Sequence, residues 1–168
     1  MDINIRNVKY EDLPAVVDIQ VDSWKDTYKG IIDGGYLKNL NKHERLEKRK
    51  KDYQQNGFIV AEKNGEILGF CRFVENINNE DYNKCDCELG ALYIRIDSKG
   101  KCIGKQLINY VKKYFKEKNK TKMILWCLEE NYNSRAFYEK MGGKLIGKRQ
   151  IEIGNRTYDE VAYGYDLK

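Results

Sequence analysis

Apolar positions along the chain change period several times, and each change predicts an element. Asn4 to Val8 alternates briefly between apolar and polar residues, as a half-buried strand does. Asp12 and Pro14 suit a helix start, and Val16, Val17, Ile19, Gln20, Trp24 and Tyr28 then keep helical spacing up to Gly30 or the Asp33-Gly34-Gly35 turn. Tyr36 to Gln55 reads as a second, heavily charged helical stretch. Phe58 to Glu62 and Ile67 to Val74 read as strands, joined by Lys63-Asn64-Gly65-Glu66, whose Asn-Gly pair is a hairpin signal. Glu75 to Lys84 is a polar loop. Leu89 to Ile96 is apolar and β-branched or aromatic, as a buried central strand would be. After the polar break Asp97-Ser98-Lys99-Gly100 the period lengthens, and Ile103, Leu107, Ile108, Val111 and Phe115 fall on one helical face. Met123 to Leu128 is another buried strand. Asn131-Tyr132-Asn133-Ser134 caps a short helix that runs to Met141 and stops at Gly142-Gly143. Leu145 to Ile153 and Tyr158 to Leu167 form a closing hairpin around Gly154-Asn155.

The order β-α-α-β-β-β-α-β-α-β-β predicts a mixed α/β (α+β) domain, with one mostly antiparallel central sheet and helices on both faces. The central strand reaches the strand at Met123 through a helix, so these two should run parallel. At 168 residues the whole chain, 1–168, reads as a single domain with enough length for a hydrophobic core. No linker, repeat or low-complexity segment divides it.

Composition narrows the setting. No apolar run is long enough to span a bilayer, and the start Met-Asp-Ile-Asn-Ile-Arg is no signal peptide, so a cytoplasmic protein away from membranes is expected. Cys71, Cys85, Cys87, Cys102 and Cys127 are odd in number and sit mostly in apolar segments, which reads as reduced thiols used for packing. Cys85-Asp86-Cys87 lacks a second Cys or His pair, so no metal is expected. The formal charge of +5 is mild, and the lysine clusters at 42–51 and 112–122 are interrupted by Glu44, Glu47 and Glu117, as on solvated helix faces. Nucleic acid is therefore not expected as a partner, whereas an anionic small ligand suits the balance. His43 is the only histidine and lies amid Lys42, Glu44 and Arg45, which argues against a Ser-His or Cys-His hydrolase.

The stretch from Glu88 to Phe115 is where chemistry concentrates. Strand, glycine-bearing loop and helix in that order aim a helix N-terminus, with its free N–H groups, at whatever lies above the strand end, and such an end favours phosphate. The glycines of Gly100-Lys101-Cys102-Ile103-Gly104-Lys105-Gln106 are too close for a P-loop, and Gln106 stands where Ser or Thr would hold magnesium. Only two of the three glycines of a dinucleotide fingerprint match. On these residues alone the loop is either a phosphate site or an ordinary tight turn.

ALYIRIDSKGKCIGKQLI followed by LEENYNSRAFYEKMGGKLIG resembles the acyl-CoA-binding core of the GNAT acetyltransferases. The first part is similar to their Gln/Arg-x-x-Gly-x-Gly/Ala phosphate loop, the second to their strand followed by Asn-x-x-Ala-x-x-Phe-Tyr. DSWKDTYKGIIDGGYL resembles the N-terminal segment of one bacterial branch, and the likeness covers nearly the whole chain. Three positions depart from the pattern. Lys99 fills the Gln/Arg slot, keeping charge but not a planar guanidinium or amide. Cys102 fills the middle glycine slot, which keeps the backbone N–H provided its dihedrals suit an L-residue. Gly143 replaces the usual aromatic after the Met-Gly pair, a change of packing more than of chemistry.

The resemblance implies an acetyl-CoA-dependent N-acetyltransferase, acting on a primary amine of a small molecule or a protein by direct attack through a tetrahedral intermediate. A non-catalytic acyl-CoA-binding or partner-docking module of the same fold is the alternative. Under the first reading Lys99, Gly100, Lys101, Cys102, Ile103, Gly104 and Lys105 hold the cofactor's pyrophosphate at the helix start. A bulge in the central strand frees an N–H near Leu92, Tyr93 and Ile94 for the oxyanion, and Asn131 is a further cofactor contact or a plain helix-entry residue. Tyr138 occupies the slot of the acid that reprotonates the leaving thiolate; a phenol of pKa about 10 can do so for a thiol of about 8.5. Glu88 matches the slot where some members carry a general base. It is that base, or a solvated strand-edge carboxylate with water taking the proton. Trp24, Tyr28 and Tyr36 lie where relatives place the acceptor wall, and core packing accounts for them equally well. Glu80 and Asp81 are either attractors for a cationic amine or solvated loop acids. The final hairpin suits pairing across a two-fold axis, as in a homodimer.

Overall fold

The computed structural model describes residues 3–55, 57–78, 82 and 84–168, so the loop acids Glu80 and Asp81 lie outside the described residues. The strands are β1 (Asn4–Asn7), β2 (Gly57–Lys63), β3 (Glu66–Val74), β4 (Cys87–Ile94), β5 (Lys122–Leu128), β6 (Lys144–Ile153) and β7 (Arg156–Asp166). They form one seven-stranded sheet in the order β1-β2-β3-β4-β5-β7-β6. Every neighbouring pair is antiparallel except β4 and β5, which run parallel through Cys87–Met123, Glu88–Ile124 and Leu89–Leu125. The mixed, mostly antiparallel sheet is the one expected from the element order.

Helices α1 (Leu13–Thr27) and α3 (Lys42–Asp52) cover one face of the sheet, and α4 (Ile103–Glu117) and α5 (Tyr132–Lys140) the other; α2 (Gly34–Lys38) is a single turn between α1 and α3. The apolar stripe of α4 is buried in full: Ile103, Leu107, Ile108, Val111 and Phe115 pack on Cys71, Leu89, Met123, Leu125, Tyr163 and Tyr165. On the opposite face Leu13, Val16 and Ile19 of α1 meet Phe58, Val60 and Phe70. Burial of two apolar helix faces against one sheet is the main source of stability here. At the start of α1 the Asp12 carboxylate accepts two hydrogen bonds from Arg6, at 2.7 and 3.0 Å, and one from the Lys9 N–H at 2.7 Å, which fixes the helix to β1.

Several boundaries shift by a residue or two from the sequence reading, and two of the differences have a clear local cause. The helical stretch over 36–55 is broken after α2, because the Asn41 side chain accepts the N–H groups of His43 and Glu44, at 2.9 and 3.2 Å, and starts α3 afresh. The central strand ends at Ile94 rather than Ile96: the Ser98 N–H turns back to the Arg95 carbonyl at 2.9 Å, making a short 3-10 turn over Ile96–Ser98. The β2–β3 turn has positive φ at both Asn64 (53°) and Gly65 (81°), the conformation its Asn-Gly pair favours. No described helix is long and apolar enough to cross a membrane.

Leu107 is fully buried at the centre of the α4 interface. Leu107→Ala is expected to lower stability by about 2–5 kcal/mol, read as a fall in the urea midpoint at unchanged slope; a loss below about 1 kcal/mol would contradict that packing.

Candidate active site

The site begins where the parallel strands part. Beyond Leu89–Leu125, β5 stays paired with β7 while β4 continues only against β3, and a cleft of about 880 Å³ opens between them. On β4 the register with β3 steps from Phe73–Leu89 to Arg72–Ala91, leaving Gly90 as an extra residue. This bulge lies upstream of the Leu92–Ile94 stretch where it was expected, at the last point of contact with β5. Its consequence is a change of side-chain parity: Cys87 and Leu89 pack towards α4, and after the extra residue it is Leu92 and Ile94 that do so. Arg95 N–H donates to Leu68 O at 2.8 Å, so alternation turns the N–H groups of Leu92 and Ile94 away from β3 and towards the cleft. The Ile94 carbonyl, on that same side, accepts from Ser23 Oγ of α1 at 3.2 Å.

The phosphate-type loop closes one end of the cleft. Lys99, Gly100, Cys102, Ile103, Gly104 and Lys105 all line it, and Lys101 does not. The amides at the start of α4 have no intrahelical acceptor, which leaves them as donors. Gly104 admits α5 closely, since a Cβ there would come within 3.3 Å of the Phe137 ring. Gly100 has φ +77°, and Cys102 is left-handed at φ 59°, ψ 14°. The middle glycine slot therefore demands a conformation that an L-residue tolerates poorly, at a cost of about 1–2 kcal/mol. The Cys102 side chain is exposed, which corrects its reading as a packing residue. Cys127 is buried, and burial pushes its thiol up to about 12, as befits packing.

Helix α5 supplies the third wall. Asn131 is 5 % exposed, and its side chain accepts from the Ser134 N–H at 3.3 Å; it is helix cap and cleft residue at once. About two turns later the half-buried Tyr138 lines the same cleft. Burial raises its phenol well above the ordinary value, and Cys127, Tyr28 and Tyr93 nearby act in the same direction. Its carbonyl is held by Tyr165 OH at 2.8 Å and by the Gly143 N–H at 3.0 Å. Here the departure at Gly143 finds its reason: a Cβ at Gly143 would meet Tyr165 at 2.8 Å, so the Tyr165 ring occupies that space.

The remaining wall comes from α1 and β5. Tyr28 lines the cleft, its phenol raised by burial. Trp24 and Tyr36 do not line it. Trp24 stands behind Tyr28 with ring centroids 5.0 Å apart, and its indole N–H donates to Tyr93 OH at 2.8 Å; Tyr36 backs Trp24 and covers Gly154. Both form a supporting layer. Sequence reasoning missed Ile31 and Trp126, which reach the cleft. The Trp126 indole has the Arg149 guanidinium 3.9 Å from its ring centre and packs nearly perpendicular to Tyr82, with ring centroids 4.7 Å apart. Strand alternation alone puts Trp126 on the face opposite Met123, Leu125 and Cys127, which is the signal that was there to read.

Glu88 is on the Trp126 face but outside the cleft lining, because it pairs with Ile124 where β4 and β5 still run together. It is half-buried. Burial raises its carboxyl above the ordinary range, Arg149 opposes that shift, and Glu160 adds to it. Arg149 itself donates from Nε to Glu160 at 2.9 Å.

With this geometry in view, the family model described as the acetyltransferase (GNAT) family matches residues 16–143. The chain belongs to the GNAT family. It is 27% identical over 164 residues to the uncharacterized N-acetyltransferase YuaI of Bacillus subtilis, covering 97% of this chain and 92% of that protein. To the spermidine N(1)-acetyltransferase of Thermoplasma acidophilum it is 28% identical over 155 residues, covering 86% and 90%. Among solved structures, the PaiA N-acetyltransferase of Thermoplasma acidophilum in complex with coenzyme A superposes with a TM-score of 0.74 at 27% identity, covering 98% of this chain and 100% of that one. The named N-acetyltransferases among the relatives support an acyltransferase activity for this GNAT chain.

The left-handed Cys102 gives a direct test of the loop. Cys102→Gly is expected to raise stability by about 1 kcal/mol and the melting temperature by about 2–4 °C. A lower melting temperature would mean that the loop does not hold this conformation.

Proposed function

We propose that the protein transfers an acetyl group from acetyl-CoA to a primary amine of a small molecule or protein. The observation that carries this reading is the convergence, on one cleft, of outward N–H groups on β4, unpaired amides at the start of α4, and a protonated Tyr138. The donor set fits the co-substrate. Amides from Lys99 to Lys105 and the ammonium groups of Lys99 and Lys105 suit a pyrophosphate, while the outward N–H groups of Leu92 and Ile94 suit the backbone of an extended pantetheine arm and a thioester oxygen.

In this reading the Leu92 and Ile94 amides receive negative charge as the thioester carbonyl is attacked, and they are worth most because the cleft wall is largely apolar. A bond forms between the amine nitrogen and the carbonyl carbon, and the carbon–sulfur bond breaks. Tyr138 gives its proton to the departing sulfur. The phenol, raised by burial, keeps its proton at neutral pH, and it can give it up because the sulfur departs into the same dehydrated cleft, where a thiol is raised as well. The amine's own proton leaves to Glu88 through water, because Glu88 does not reach the cleft directly. Tyr28 and Trp126, backed by Trp24 and Arg149, form the acceptor wall. β6 is the last strand of the sheet, and its open edge is what a second copy would pair with in a homodimer.

The reading stands or falls on calorimetric titration with acetyl-CoA. Binding in the micromolar range, with ATP and NAD giving none, is the expected result, and no binding of acetyl-CoA would overturn it. Tyr138→Phe is expected to cut turnover about 10²–10⁴-fold while leaving acetyl-CoA affinity within about twofold; equal losses of both would remove Tyr138 from the chemistry. For Glu88 the sign is set by the raised carboxyl: a base must be ionised, so kcat/KM is full above its pKa and falls as pH drops through it, at a pH above the ordinary carboxylate range of about 4.3. Arg149→Gln should move that acid limb to higher pH. Persistence of the limb in Glu88→Gln would assign it to another group.

A further inference from the structure

Asp26 and Glu130 are the two carboxylates among the described residues that line the cleft, and Asp26 sits in the last turn of α1, facing the phosphate-type loop. Lys99 leaves the extended start of that loop and crosses to it: Lys99 Nζ donates to Asp26 Oδ2 at 2.7 Å. The C-terminal end of α1 carries the negative pole of the helix, which adds to the hold on the ammonium. Both side chains are about half exposed, so a polyanion entering the cleft meets them while they are still mobile enough to exchange.

We propose that Asp26 is an affinity-setting residue that competes with the cofactor's pyrophosphate for Lys99, holding this loop's leading cation towards α1 until coenzyme A binds. The inference rests on the acetyl-CoA reading above. An ammonium has three donors and can serve two anions, as Lys42 does between Asp18 and Asp22, but the charge and the donor it gives to Asp26 are shared rather than spent on the diphosphate. With Lys99 held this way the diphosphate meets a partly neutralised cation, and the Asp26 carboxylate stays beside a bound polyanion. Both effects oppose binding. Asp26 therefore sets the affinity below what the cradle alone would give.

The test is coenzyme A affinity by calorimetry on the full chain. Asp26→Asn should bind coenzyme A about two- to fivefold more tightly at about 50 mM salt, the scale of one exposed ion pair, and the gain should fade by about 0.5 M salt as screening takes over. Lys99→Met should bind more weakly than the parent. The deciding comparison is Asp26→Asn in the Lys99→Met background, where competition is gone and only repulsion remains, so the gain should shrink. Unchanged or weaker binding by Asp26→Asn would overturn the proposal, as would an equal gain in both backgrounds, which would make Asp26 a plain repulsive charge. A parent protein that binds no coenzyme A would instead overturn the cofactor reading itself. Melting temperatures of the unliganded variants separate a folding defect from a binding effect, and Asp26→Ser serves as a second variant.

Discussion

The parting of β4 and β5 is the constraint on which the rest depends. A parallel pair needs evenly spaced, slanted hydrogen bonds along its whole length, and the extra residue at Gly90 breaks that spacing immediately after Leu89–Leu125. From there β4 follows β3 and β5 follows β7, each strand keeping one satisfied edge and exposing the other. Exposed strand edges inside a sheet are normally a fault. Here they form the inside of a cleft, and unpaired N–H groups become a resource for binding. The same residue reverses side-chain parity, so Leu92 and Ile94 close the α4 core while Tyr93 turns to the α1 face and meets Trp24. One inserted residue thus creates the opening, its donors and the division of its walls.

Around that opening the chemistry is set by burial more than by charge pairs. Tyr28, Tyr93 and Tyr138 are all raised by loss of water, and Cys127 lies among them. Phenols in such surroundings are donors that do not ionise at neutral pH. The charged groups lie at the margins, with Lys99 and Asp26 at the cofactor end and Glu88, Arg149 and Glu160 on the far face. This separation leaves Tyr28, Tyr93 and Tyr138 clear of paired charges. A negative charge placed between them would meet N–H dipoles fixed by the strand.

Much of this was legible in the sequence, and the limits have physical causes. The stripe Ile103, Leu107, Ile108, Val111 and Phe115 has a helical period, and its burial follows from that period alone. Motif spacing is local, so it picked out Asn131, Tyr138 and the loop from Lys99 to Lys105, all of which except Lys101 line the cleft. Trp24 and Tyr36 read equally well as acceptor wall or as packing, and they stand in the layer behind the cleft lining. Periodicity tells which side of a helix faces inward, but it does not rank two inward layers. Trp126 was missed although plain alternation along β5 sets it opposite Met123, Leu125 and Cys127, and the bulge at Gly90, which decides which β4 side chains face the cleft, has no marker in the apolar pattern. Contacts between distant segments were out of reach altogether. Lys99 with Asp26, Arg149 with Trp126 and Tyr165 with Gly143 each join elements that only the sheet order brings together.

The departures at Gly143 and Cys102 show two different ways of leaving a family pattern. At Gly143 the missing aromatic is replaced from elsewhere, since Tyr165 on β7 fills the space and its hydroxyl holds the Tyr138 carbonyl at 2.8 Å. A ring from another strand stands beside Gly143, and α5 is anchored to β7 through it. At Cys102 nothing compensates: the backbone stays left-handed, the side chain points to solvent, and the strain remains in the loop. A chain keeps such a conformation only where the surrounding structure over-determines it. Here Gly100 on one side and the buried Ile103 on the other fix the path, and the Gln106 N–H bonds the Cys102 carbonyl at 3.1 Å to begin the helix. The helix start at residue 102 is therefore imposed by the core beneath α4, and the amides that face the cleft keep their directions whichever side chain fills the slot.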